Sequence, residues 1–146
     1  MTVGSRYSEE SPAVQAHLGM AQSIIQRMAN NSASCKTWCI TLVSALLVVV
    51  AEKAKSDYVE IAYIPIIIFY LLDSYYLALE KRFRMSYNIF IDRLHDRLVE
   101  SKDLYAMTPT VSAISSDATA LLSISAWPFY ILLALMVRIA QTVVGA

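Results

Sequence analysis

Glycine is scarce in this 146-residue chain, and Gly4, Gly19 and Gly145 are too scattered to build a glycine-rich loop around a phosphate. No nucleotide loop of that kind exists here. Cysteine is scarcer still: Cys35 and Cys39 fall four apart on one expected helix, where they share a face and do not readily bridge each other. With His17 and His95 far away in sequence, they also leave a closed zinc site short of ligands. No structural disulfide, metal or cofactor is expected. Charge is sparse and balanced, twelve basic against twelve acidic residues, so the chain as a whole offers no electrostatic case for nucleic acid. The segment Met1 to Pro12 has one arginine, two glutamates and no apolar centre, and does not read as a signal peptide.

What the chain does have is apolar surface. Hydrophobic residues make up 57% of it, charged ones 16%, and mean hydropathy is +0.49, a balance shifted from soluble domains toward membrane proteins. The length allows one architectural unit, a single membrane domain covering residues 1–146. Thr37 to Ala51 carries no charge and becomes long enough to span if the preceding turn joins it and Lys36 reaches back to the headgroups. Ile61 to Leu79 covers about 28 Å as a helix, close to the hydrocarbon thickness. The polar link Glu52 to Glu60 is short enough to force the two helices antiparallel. Both are apolar around most of their circumference, unlike buried helices of a soluble bundle, which keep a polar stripe. A transmembrane hairpin over about residues 37–79 follows. Lys81, Arg82, Arg84, Arg93 and Arg97 trail the second span and Arg27 and Lys36 precede the first, against Lys53 and Lys55 in the link. The positive-inside rule then places both hairpin ends in the cytoplasm of a multi-pass bacterial inner-membrane protein.

The rest of the chain reads as helix. Val14, His17, Leu18, Ala21, Ile24, Ile25 and Met28 recur at three and four residues opposite Gln15, Gln22, Gln26 and Asn30, and Ser11-Pro12 is a natural helix start. After the hairpin, Tyr87, Ile91, Leu94 and Leu98 repeat in the same way, with Asp92, Arg93, Asp96, Arg97 and Glu100 toward solvent. Ala118 to Val137 is uncharged and long enough for a third membrane segment, although Pro128 and the grouped Trp127, Phe129 and Tyr130 would also suit a re-entrant or surface helix. The expected fold is an all-α integral membrane protein: a flexible N-terminus at 1–10, an amphipathic helix at 11–32, a first span at 33–51, a second at 58–79, a cytoplasmic helix at 80–106 and a C-terminal hydrophobic helix at 111–144.

Asp73 stands out among candidate functional residues, because a carboxylate at the centre of a membrane helix costs about 2.5–3.5 kcal/mol on insertion scales. It either has a role or lies near enough to the interface to be hydrated, with Tyr75 and Tyr76 as an aromatic belt. Lys81, Arg82 and Arg84 hold topology and could also meet anionic headgroups, at about 1 kcal/mol each. Ser112, Ser115, Ser116, Thr119 and Ser123 recur at helical spacing, a hydroxyl stripe suited to helix packing or to a water-filled passage made by several copies. His17 and His95 have no nucleophile motif beside them, and Asp92 and Asp96 read as a solvated face. No enzyme active site is legible.

An amphipathic helix, a tight hairpin ending in FYLLDSYYLALEKRFR, and a charged helix continuing beyond it together resemble the SLATT-like group of bacterial two-transmembrane effectors, over about residues 10–105. That resemblance implies a protein that oligomerises in the inner membrane beside an antiviral sensor or enzyme and disrupts the membrane when infection is sensed. A third hydrophobic stretch departs from the two-span pattern. The alternative class is a non-conducting accessory protein that recruits or regulates a cytoplasmic defence partner. Expected partners in either case are the lipid bilayer, further copies of the chain and that cytoplasmic protein.

Overall fold

The computed structural model describes residues 7–53, 56–108 and 125–144, and these are all-helical, with no strand among them. Helix α1 runs unbroken over Pro12–Lys53, α2 over Tyr63–His95, and α3 over Trp127–Val144. A 3-10 segment, Ser56–Ala62, turns the chain between α1 and α2. Two of these helices are long and apolar enough to cross a membrane.

Helix α1 starts as its sequence directs, with Pro12 in the first turn and the Ser11 carbonyl accepting from Val14 and Gln15 N–H. The Ser11 hydroxyl turns outward and accepts the Ser8 N–H at 2.9 Å. No proline or glycine follows Gly19 within the helix, so nothing stops it at the expected boundary near residue 32. The amphipathic helix and the first apolar stretch are one rod, about 63 Å long at 1.5 Å per residue. It is twice the thickness of a hydrocarbon layer, so half of it must project beyond any membrane it enters.

The rod and α2 pack antiparallel around two separate apolar clusters. At the turn end, Cys39, Val43, Val50, Val59, Ala62 and Ile66 form a core that α3 completes with Tyr130, Leu133 and Val137. At the far end, Val14 packs with Phe90, Leu94, Val99 and Leu104. Ala126 seats against Leu77 and Ala78, and the Tyr130 hydroxyl donates to the Phe69 carbonyl at 3.2 Å. Later residues of α3 reach the Ser56–Ala62 segment. The third helix therefore runs antiparallel to α2, from the level of Ala78 toward the turn, and shares the depth of the hairpin.

The helix expected over 80–106 ends at His95. Arg97 adopts the left-handed conformation (φ 58°), and Leu98 N–H closes onto the Arg93 carbonyl at 2.8 Å, a C-terminal motif that usually employs glycine. The fold-back buries Val99 and Leu104 beside Val14, which a straight helix would leave in solvent. Leu98, expected on the apolar stripe, is 59% exposed, and Phe90 takes the core position. Arg97→Gly should relieve backbone strain of about 1 kcal/mol without losing a buried contact. Its melting temperature in detergent is expected to rise by a few degrees; an unchanged or lower value would contradict the strained cap.

Candidate functional site

Apolar side chains cover the outside of the turn-end half on all three helices. Val48 on α1, Ile67 and Leu71 on α2, and Ile131 and Leu132 on α3 are each about half exposed or more. Such a continuous surface marks a face for lipid or for other apolar helices rather than for water. Trp38 on α1, Tyr75 on α2 and Trp127 on α3 are also exposed, rings of the amphipathic kind that membrane boundaries favour. Phe129 and Tyr130, grouped with Trp127 in the sequence, instead turn inward, and Tyr130 is 3% exposed.

Between α1 and α2 the interior is charged. Asp73 is completely buried between α1 and α2, and one of its oxygens lies 2.6 Å from Lys36 Nζ. Its other oxygen accepts the Ser32 hydroxyl, and Lys36 Nζ in turn donates to Ser32 Oγ at 3.2 Å. The closed triangle follows from helix geometry, because Ser32 and Lys36 are one turn apart on a single face of α1. Cys35 and Cys39 continue that face as free thiols, and Ser74 and Ala78 lie buried on α2. Small residues at the crossing let the backbones approach closely enough for a short aspartate to meet α1.

The geometry corrects the part assigned to Lys36. Its ammonium turns inward to the carboxylate rather than back to headgroups, and its side chain is 21% exposed. Asp73 is thus neither hydrated nor isolated. Tyr75 and Tyr76 stack edge to face on each other at 5.7 Å, and Tyr75 points outward, so the three do not form one site. Lys81, Arg82 and Arg84 lie two to three turns further along α2; Arg84 pairs with Glu80 at 2.7 Å. The hydroxyl stripe Ser112, Ser115, Ser116, Thr119 and Ser123 lies outside the described residues.

Chemically, the triangle holds a charge pair, and the clefts beside His17, beside His95 and along Leu46 are lined by none of Ser32, Lys36 and Asp73. No group of three or more histidine, cysteine or carboxylate side chains among the described residues could hold a metal ion. A cleft of about 250 Å³ beside the buried His17 lies elsewhere, at the far end of the rod, between α1, α2 and the segment after α2. Compared with known protein families, curated proteins and solved structures, the chain matches none.

Proposed function

We propose that the protein is a membrane-embedded effector of the bacterial inner membrane that assembles from several copies and permeabilises the bilayer in antiphage defence. The Lys36–Asp73 pair, its carboxylate fully buried and its lysine partly so inside a bundle whose outside is apolar, carries this reading. A dry ion pair is held only while its geometry is excellent, and wetting it removes most of the attraction between the charges. The closed bundle therefore has a competing arrangement in which α1 and α2 part and both charges face water. One copy is too well filled by Val43, Leu133 and Val137 to contain a passage, so a passage needs several copies that turn their parted hairpins inward. The SLATT-like pattern of helix, hairpin and charged extension supports the same reading.

Purified protein assembled in liposomes is expected to release a small trapped dye, and Asp73→Asn, which leaves the inward-turned lysine without its counter-charge, to raise the rate several-fold at equal insertion. No release from assembled wild type or from Asp73→Asn would sink the effector reading. The accessory reading would then stand, with the cleft beside His17, outside the apolar half, as the surface that meets a cytoplasmic partner.

A further inference from the structure

After α2 the chain doubles back as a strap, residues 96–108, laid against the first turns of α1. Besides the Tyr7 hydroxyl, which lies 2.8 Å from Ser101 Oγ, three points hold the strap. Arg93 grips Asp103 through two hydrogen bonds of 2.9 and 2.8 Å, and Asp103 also accepts the Glu100 N–H at 2.9 Å. Val99 and Leu104 are buried with Val14 and Phe90. The third point is polar and crosses to the other helix: Tyr105 N–H donates to His17 Nδ1 at 3.0 Å.

That last bond fixes the state of the histidine. A ring nitrogen that accepts a backbone N–H has no proton of its own, so His17 is neutral and carries its proton on Nε2. The ring has little freedom to escape: it is 5% exposed and stacked on Phe90 at a centroid distance of 4.1 Å. Tyr105 is in the left-handed region (φ 63°), a conformation a bulky residue keeps only while its surroundings hold it. Protonation of Nδ1 would turn the acceptor into a donor aimed at another donor, and the bond would be lost.

We propose that His17 is a proton-operated latch: neutral, it fastens the 96–108 strap to α1, and protonated, it lets the strap go. The strap carries the chain out of α2 toward α3, so its release lengthens the tether between the hairpin and the third helix. The charged and titratable groups around the ring support a latch that opens only in acid. Burial lowers the affinity of His17 for a proton below the ordinary value of 6.5, and Asp103 works against that. Burial tends to raise the Asp103 carboxyl, but the Glu100 N–H and Arg93 outweigh it and hold it below its ordinary range, so Asp103 stays ionised. From α2, Arg93 and Tyr87 face the same cleft, and from the strap Lys102, whose partner is Glu100 at 2.9 Å. Because the fastened state disfavours the proton, its stability is complete above 6.5 and is lost as pH falls below that value toward the lowered one.

Hydrogen exchange of the full-length protein in detergent, followed at the Tyr105 amide and corrected for intrinsic rates, tests the latch between about pH 8 and about pH 5. Wild-type protection is expected to fall several-fold over that range. His17→Asn places a non-titrating oxygen near the position of Nδ1 and should remove the pH dependence. His17→Phe keeps the ring stack without an acceptor, and should leave the amide unprotected at both pH values. Equal protection of wild type at the two pH values, or parallel loss in wild type and His17→Asn, would overturn the proposal. Should His17→Asn not fold, nitrogen NMR of His95→Gln, which leaves His17 as the single histidine, decides the matter: the proton must sit on Nε2 near neutral pH, and a proton on Nδ1 would refute the latch.

Discussion

Lys36→Leu alone is expected to destabilise the bundle by about 3–5 kcal/mol, because it strands a fully buried carboxylate. The aspartate side chain is too short to reach water, and the neutral Ser32 hydroxyl that it accepts from cannot replace the lost positive charge. Asp73→Leu should cost clearly less. Freed of its partner, Lys36 has a four-carbon stem and begins partly exposed at the level of Trp38, so its ammonium can swing out to the boundary. Membrane insertion of Asp73→Leu should be unchanged or improved, since the span loses its carboxylate. The double change Lys36→Leu with Asp73→Leu should recover most of the lysine loss, because apolar side chains of similar volume often replace a buried ion pair at no net cost. Thermal unfolding of the four proteins in one detergent measures this cycle. A lysine variant as stable as wild type, or a double variant no better than Lys36→Leu, would show that the pair is not the buried, coupled unit seen between α1 and α2.

The sequence makes the carboxylate conspicuous but hides its partner. Asp73 is surrounded by apolar residues along the chain, and the energetic penalty of that position is legible without a structure. Lys36 stands at the edge of an uncharged run, where a lysine ordinarily serves the headgroups, and only the pairing of α1 with α2 reveals that it turns inward. The two long apolar helices follow from uninterrupted hydrophobicity, and the buried face Val14, His17, Ala21 and Met28 follows from its period. The continuity of α1 was obscured by a change in composition near residue 32, from amphipathic to apolar, that involves no breaker. The end of α2 was obscured for the opposite reason. Arg97 occupies a position where glycine would have announced a stop, and it does so because burial of Val99 and Leu104 outweighs the strain. Tyr105 bonding to His17 joins residues 88 apart in sequence, and no local pattern contains that contact.

The second large effect concerns which ends of the three helices share a side of the membrane. The apolar halves of α1, α2 and α3 are proposed to lie in the bilayer, with α3 antiparallel to α2 and its last turns near the Ser56–Ala62 segment. The interval from Lys36 to Lys53 spans about 26 Å of helix, and α3 about 27 Å, both near the hydrocarbon thickness once flanking side chains reach outward. In the proposed topology the basic residues on the far half of α2, Lys81, Arg82, Arg84 and Arg93, keep that end in the cytoplasm. Ser56 and Thr142 should therefore lie outside, and Asn88, exposed on the projecting half of α2, inside. Single cysteines at these three positions, in a background with Cys35 and Cys39 replaced by alanine, report this directly through an impermeant thiol reagent. In intact spheroplasts Ser56→Cys and Thr142→Cys are expected to be labelled and Asn88→Cys to be protected until the membrane is opened. Labelling of Ser56→Cys and Asn88→Cys from the same side, in protein that remains with the membrane after alkaline extraction, would contradict the spanning bundle on which the account rests.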